Sequence, residues 1–220
     1  MISERENFLM GNIMNRKELE QYIDNSILLG NIVTEKDEIY KRIGCGYRSQ
    51  RYKQILGSVS INNEIYVKKD SENKIHLVCY AGDYEELDLG DCIDVIDFCA
   101  FYRFGHNQIW KQPLLSISGK AVESIGDFAF SEVPIKYANF PNVKEIGEGC
   151  FGLTDLYEVE FNNLNEIPPL AFKYTPIKRF RGDKVVVSEI DAFTGCKQLE
   201  KLILPRLCEE AVNELYKYSH

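Results

Sequence analysis

Phenylalanine recurs at a fixed interval in the C-terminal part of this 220-residue chain. Four phenylalanines share a 21-residue spacing, and each follows a small residue: Ala129 and Phe130, Cys150 and Phe151, Ala171 and Phe172, Ala192 and Phe193. Phe101 after Ala100 is an earlier copy, separated from Phe130 by one period plus eight extra positions. A unit this short cannot close a core alone, so the period predicts a solenoid in which stacked units share one core.

Apolar residues form further columns around each phenylalanine. Eight positions ahead of it stand Ile93, Val122, Val143, Leu164 and Val185. Five positions ahead stand Ile96, Ile125, Ile146 and Ile167, and Ser188 breaks this column in the last copy. Behind it, apolar residues such as Leu156, Val159 and Phe161 alternate as in a short strand with one inward face. Equivalent strands should pair in parallel about 4.8 Å apart, with the phenylalanines on the opposite wall.

Four segments carry a resemblance to a known family: VESIGDFAF, VKEIGEGCF, LNEIPPLAF and AFTGCKQLEKLILP. They resemble the BspA-type bacterial leucine-rich repeat over about residues 84–205. The resemblance implies a leucine-rich-repeat fold and partner binding, and it implies no catalytic residues. We therefore predict an α+β protein: a solenoid with a parallel β-sheet, five to six units with a 21-residue period, and an N-terminal α+β cap.

The first helix is predicted over residues 15–30. Asn15 can cap it, Glu18 occupies the capping-box position, and Gly30 can end it. The helix has an apolar face at helical spacing, formed by Leu19, Tyr22, Ile23 and Ile27.

Two shorter helices and a β-meander follow. The helices are expected from Thr34 to Ile43 and over residues 49–56, and three short strands begin at Val59, Ile65 and Ile75. Three divisions result: residues 1–80 as a cap, 81–205 as the solenoid and 206–220 as a C-terminal capping helix. Solenoids need such caps because an exposed end is an unpaired strand edge.

Charge separates the two parts of the chain. The formal net charge is −8, and residues 76–220 alone carry −9. This argues against a general nucleic-acid or anionic-membrane surface there. The basic, tyrosine-containing stretch KRIGCGYRSQRYK, residues 41–53, leaves nucleic-acid binding as a weaker alternative to docking on the acidic solenoid. The sequence has neither a signal peptide nor an apolar run long enough to span a membrane, so we expect a cytoplasmic protein. The family resemblance makes the cell surface the alternative.

Little in the sequence points to catalysis. The seven cysteines include no C-x-x-C pair, and the three histidines lie in no ligand or nucleophile pattern, so we predict no metal, cofactor or catalytic site. Buried free thiols are the favoured interpretation, with a reactive Cys45 between two glycines as the weaker one. An enzyme would need a site in the N-terminal cap.

Two surfaces are candidates for binding a partner. One is the insertion within residues 102–113, which is rich in residue types favoured at interfaces: Tyr102, Arg103, Phe104 and Trp110. Its alternative role is padding, with Trp110 and Phe104 folded back on the convex side. The other is the strand face, with Tyr137, Tyr157, Glu158, Glu160, Lys178, Arg179 and Arg181.

On the strand face, the 21-residue register should place Glu158 beside Arg179 and Glu160 beside Arg181. These pairs are either a self-satisfied ladder or a strip that orients a charged partner. We predict a non-enzymatic protein–protein interaction scaffold, with a cell-surface adhesin or carbohydrate-binding repeat protein as the alternative.

Overall fold

The computed structural model describes residues 7–9, 14–37, 50–102 and 114–219. Its N-terminal part contains helix α1 (Arg16–Leu28), a 3₁₀ turn (Glu35–Asp37) and helix α2 (Gln50–Ile55). The first and third predicted helices are confirmed. Of the second, only the 3₁₀ turn falls within the described residues, because residues 38–43 lie outside them.

Helix α1 begins at the predicted capping box. The N–H of Glu18 donates to the Asn15 side-chain oxygen at 3.1 Å, and the N–H of Asn15 donates to the Glu18 carboxylate at 2.8 Å. Gly30 follows the helix at φ +72°, a left-handed conformation that glycine adopts without strain.

Only two of the four residues predicted to form the apolar face of α1 are buried. Leu19 and Ile23 are fully buried, but Tyr22 is 39% and Ile27 51% exposed. Tyr22 lies at the rim, where its hydroxyl donates to the carbonyl of Ser60 at 3.0 Å. The helix contacts the sheet along a narrower stripe than its sequence indicates.

The predicted meander is confirmed as strands β2 (Val59–Ile61), β3 (Ile65–Lys69) and β4 (Ile75–Tyr80), paired antiparallel. Asn62 and Asn63 join β2 to β3 with φ of +54° and +58°, as a tight hairpin turn requires. The meander continues into the solenoid, because β4 pairs in parallel with β6 (Val95–Ile96). The boundary near residue 80 stays a prediction.

Each solenoid unit contributes a three-residue strand to one sheet, called here the long-strand sheet. Its strands are β1 (Asn7–Leu9), β5 (Glu86–Asp88), β7 (Ser116–Ser118), β9 (Tyr137–Asn139), β11 (Glu158–Glu160), β13 (Arg179–Arg181) and β15 (Lys201–Ile203). They run parallel in two hydrogen-bonded sections, β1-β5-β7-β9 and β11-β13-β15. The register confirms that Glu158 lies beside Arg179 and Glu160 beside Arg181.

A second parallel sheet, called here the short-strand sheet, was not predicted. It continues from β6 with the two-residue strands β8 (Ser124–Ile125) and β10 (Glu145–Ile146), and β12 (Glu166–Ile167) and β14 (Val187–Ser188) form a separate hydrogen-bonded pair. The isoleucine column five positions ahead of each phenylalanine supplies its inward residues, and Ser188 continues that column in β14. A strand of two residues is too short to show alternation in sequence.

The phenylalanine column forms the spine of the core, as predicted. All five rings are fully buried, and ring centroids of neighbouring units are 4.6, 5.3, 5.7 and 5.2 Å apart from Phe101 to Phe193. The small residues beside them, Ala100, Ala129, Cys150, Ala171 and Ala192, are also fully buried. Offset stacking at these distances is favourable for aromatic rings, so each unit is tied to the next.

Helix α3 (Glu209–Ser219) lies where a C-terminal capping helix was expected. Its Leu215 is buried in the core. The Tyr216 hydroxyl accepts a hydrogen bond from the Leu202 N–H at 2.6 Å, which satisfies a donor on the last long strand. The boundary at residue 205 stays a prediction.

Candidate binding surface

The long-strand sheet presents one ordered face outward. In strands β5, β7, β9, β11, β13 and β15 the middle residue points inward and is buried or nearly so, as Val159, Phe180 and Leu202 show. The first and third residues therefore project from the opposite face. Because the strands pair in register within each hydrogen-bonded section, these outward side chains form two columns across it.

Strongly charged strands lie next to each other on this face. Strand β11 presents Glu158 and Glu160, and β13 presents Arg179 and Arg181. On β9, Tyr137 is 67% exposed. Tyrosine and arginine are enriched at protein-binding surfaces.

The expected ladder of ion pairs between β11 and β13 is not formed. Arg181 instead binds Asp183, two residues further along its own chain, through Nε at 2.9 Å and Nη2 at 3.2 Å. The pKa of Arg181 is raised, first by these hydrogen bonds and then by the charges of Asp183 and Glu160. The predicted register is correct, but the Arg181 guanidinium pairs with the carboxylate of Asp183 instead of that of Glu160.

Arg179 is also not paired with its neighbour. Its Nε is buried and has no hydrogen-bond acceptor among the described residues. Within the same residues, Glu158 and Arg179 form no direct ion pair. Of the four charged side chains on β11 and β13, only Arg181 is held in an ion pair among the described residues.

Tyr157 and Lys178 form a contact at the start of the same strands. The Lys178 Nζ lies 4.9 Å from the centroid of the Tyr157 ring, a cation–π distance, and 3.6 Å from a Glu200 carboxylate oxygen. Tyr157 remains 43% exposed. The fold thus places Tyr137, Glu158, Glu160, Arg179 and Arg181 on one face, with Tyr157 and Lys178 just ahead of its strands.

Lys201, which was not predicted from the sequence, continues the basic column. Lys201 pairs in register with Arg179. The 21-residue period would place the partner of Arg179 at position 200, but the last unit is one residue longer. The shift of Leu199, Leu202 and Leu204 by one position was the available signal.

Tyr102 lies elsewhere, just after Phe101. It is half-buried, and its hydroxyl donates to a Glu132 carboxylate oxygen at 3.3 Å. Burial and the charge of Glu132 raise its pKa. Arg103, Phe104 and Trp110 lie outside the described residues, so the proposed role of the insertion stays a prediction.

The basic stretch of residues 41–53 is described only from residue 50 onward. There, Arg51 and Tyr52 are buried rather than presented to solvent. Cys45 lies outside the described residues. Of the other cysteines, five are buried and Cys208 is exposed.

His76 is held between two carboxylates. Its Nδ1 is 2.7 Å from Asp97, and its Nε2 is 3.2 Å from Asp70. The hydrogen bond to Asp97 is the main reason that the pKa of His76 is raised. In the described ranges, no group of three or more His, Cys, Asp or Glu residues could hold a metal ion, and no helix is long and apolar enough to cross a membrane.

Two parallel sheets, a stacked phenylalanine column and a 21-residue period define a leucine-rich-repeat solenoid. The pattern described as "BspA type Leucine rich repeat region" matches six copies over residues 78–200. The chain therefore belongs to the BspA-type leucine-rich repeat family.

Two solved structures are similar in fold. One is a leucine-rich repeat protein from Eubacterium ventriosum, 19% identical over 65% of this chain and 42% of that one, with a TM-score of 0.47. The other is a leucine rich cell surface protein from Faecalibacterium prausnitzii, 14% identical over 64% of this chain and 53% of that one, with a TM-score of 0.41. The chain thus matches about half the length of each. No curated protein matches it.

Proposed function

We propose that this protein is a non-enzymatic scaffold that binds a protein partner through the outward face of the long-strand sheet. Leucine-rich repeat proteins generally mediate binding, which is the coarse basis of the proposal. The observation that carries the finer statement is the row of charged side chains on strands β11 and β13, of which only Arg181 has an ion pair among the described residues, next to the exposed ring of Tyr137.

A face made of paired strands suits binding better than chemistry. Its side chains stand on paired strands, so the backbone loses little conformational entropy when a partner is bound. The described groups with shifted pKa values, such as His76 and Arg181, are held by carboxylates in fixed pairs. Such ion pairs are adequate structural causes of those shifts, so they do not call for a catalytic role.

The proposal is tested by affinity capture from a native lysate with mass spectrometry. The double variant Arg179→Glu/Arg181→Glu should lose proteins that the wild type captures, because reversing two charges at an interface opposes like charges. The matched control is Glu145→Arg/Glu166→Arg, which reverses two exposed charges on the short-strand sheet. The control should capture the same proteins as the wild type.

Equal capture by wild type and the Arg179/Arg181 variant would remove the long-strand face as the binding site. The single variant Trp110→Ala then tests the insertion. Loss of capture with Trp110→Ala alone would move the binding site to residues 102–113.

A further inference from the structure

Four adjacent strands of the long-strand sheet carry a charge pattern that complements itself. In the order β9, β11, β13, β15, the first outward positions are Tyr137, Glu158, Arg179 and Lys201. The third positions are Asn139, Glu160, Arg181 and Ile203. The acidic strand and the first basic strand are thus central neighbours, with an exposed tyrosine on one side and a lysine on the other.

We propose that this face docks on the same face of a second copy of the chain, forming a two-fold symmetric homodimer. The inference rests on the proposed function, since it names the partner of the same surface. The two-fold axis runs parallel to the strands, midway between β11 and β13. Rotation about it lays β11 of each copy on β13 of the other, with residues in the same order along the strands.

Every central pairing in this arrangement is attractive. Glu158 of one copy faces Arg179 of the other, and Glu160 faces Arg181, and the symmetry repeats both pairs. Arg181 keeps its Nη1 available, because its bonds to Asp183 use Nε and Nη2. Arg179 has no ion pair among the described residues of its own copy, so its guanidinium gains one from Glu158 of the other copy.

The flanking strands fit the same axis. Tyr137 on β9 faces Lys201 on β15 of the other copy, a cation–π pairing of the kind that Lys178 and Tyr157 already form within one copy. Lys136 and Glu200, which precede these two strands, also have opposite charges.

The other in-plane two-fold axis is disfavoured by charge. An axis in the interface that runs perpendicular to the strands would lay each strand on the same strand of the other copy, in reversed order. Glu158 of one copy would then face Glu160 of the other, and Arg179 would face Arg181. Like charges opposed across an interface are strongly unfavourable. An acidic peptide would meet Arg179 and Arg181 but would be repelled by the neighbouring glutamates, so the mixed pattern favours a second copy.

The dimer should be weak and sensitive to salt. Four strands about 4.8 Å apart and three residues of about 3.3 Å each cover only roughly 14 by 10 Å. This footprint is smaller than a standard interface of about 800 Å² per partner, which places the contact among transient ones. Its central pairs are charged, so screening at high salt should weaken it.

Sedimentation velocity tests the proposal with a charge exchange. At about 50 mM salt the wild type should shift from monomer to dimer as its concentration rises towards roughly 1 mM, and at about 500 mM salt the shift should shrink. The variants Glu158→Arg/Glu160→Arg and Arg179→Glu/Arg181→Glu should each stay monomeric, with association at least about tenfold weaker. An equal mixture of the two should form a heterodimer, because all four central pairs are then complementary.

The control separates the specific contact from general attraction between oppositely charged proteins. The variant Glu145→Arg/Glu166→Arg changes net charge as the first variant does, but on the short-strand sheet. It should self-associate like the wild type and should not bind the Arg179/Arg181 variant. The homodimer would be overturned if the wild type stays monomeric at low salt. It would also be overturned if Glu158→Arg/Glu160→Arg or Arg179→Glu/Arg181→Glu, each measured alone, dimerises as the wild type does. The proposed function would survive that result if native partners are still lost from the Arg179/Arg181 variant.

A cross-link tests the direction of the axis. In a Cys208→Ser background, the double variant Tyr137→Cys/Lys201→Cys should form a disulfide-linked dimer under mild oxidation. Within one copy the two positions are three strands, about 14 Å, apart, too far for a disulfide. Either cysteine alone should give no cross-linked dimer, because each faces the other position rather than itself. Equal cross-linking by Lys201→Cys alone would contradict this axis.

Discussion

At the scale of single residues, stability is concentrated in repeated positions. Each of the three inner phenylalanines of the spine, Phe130, Phe151 and Phe172, contacts one above and one below, so a single ring supports two neighbouring units. The small residues beside the rings allow this close approach, because a larger side chain there would separate the units. Their chemistry matters less than their volume, as the buried Cys150 in an alanine column shows.

Phe151→Ala should destabilise the protein strongly. The ring is fully buried between Phe130 and Phe172, and truncating such a ring typically costs about 3–5 kcal/mol of unfolding free energy. Chemical denaturation monitored by circular dichroism measures the loss, and Phe151→Leu, which retains much of the volume, should lose clearly less. A curve unchanged from wild type would contradict the stacked spine.

Among the six described thiols, only Cys208 should react quickly with a thiol reagent in the native protein. Burial raises the pKa of Cys99 to about 11, and burial also raises that of Cys150, so both are protonated and shielded near neutral pH. Titration with Ellman's reagent at about pH 8 measures the fast fraction. Cys208→Ser should remove that phase, and denaturant should release the others.

At the scale of elements, helices α1 and α3 add buried side chains to the core that the sheets form. Helix α1 is positioned by its capping box and contributes only Leu19 and Ile23 to the main core from its predicted apolar face. Helix α3 covers the last long strand and supplies a hydroxyl to its backbone. An unpaired strand edge invites association with another chain, so this side chain takes the place of a missing neighbour strand.

Tyr216→Phe should therefore lower stability without disturbing the core. Removing the hydroxyl leaves the part-buried N–H of Leu202 without its acceptor, a loss of about 0.5–1.5 kcal/mol for a typical hydrogen bond. Urea denaturation measures it. Tyr218→Phe on the same helix is the matched control, since Tyr218 is exposed and should change little. Equal effects of the two variants would argue against the hydroxyl as the edge partner.

At the scale of the whole molecule, contacts run from each unit to the next. The N–H groups of Phe130, Phe151 and Phe172 each donate to the residue before the next phenylalanine, at 2.8 to 2.9 Å. One hydrophobic core extends from Leu19 to Leu215. Such a chain of nearest-neighbour contacts makes the middle units the best supported.

Hydrogen exchange should follow this order. Amides of the central units around Phe151 should exchange slowest, and those of α1 and α3 fastest, because the ends are supported from one side only. Mass spectrometry of peptides after native-state exchange measures the gradient. Central peptides that exchange faster than the helices would contradict it.

The sequence by itself determined the solenoid, its spine and the register of its long strands. A period is a translation from one unit to the next, so residue spacing in the chain becomes adjacency in space, and Glu158 beside Arg179 could be read directly. The short-strand sheet escaped the same reasoning because its two-residue strands carry no alternation.

The tertiary structure decided which partner each side chain takes. Register places Glu160 beside Arg181, but side-chain length and rotamer bring Asp183 closer, and short-range electrostatics favours the nearer carboxylate. Likewise, the exposure of Tyr22 and Ile27 depends on the rotation of α1 about its own axis against the sheet, which helical spacing does not encode. The basic column includes Lys201 because β15 pairs in register with β13 even though the last unit is one residue longer. Periodicity thus determines which strands are neighbours, and packing determines which of their charges remain free for a partner.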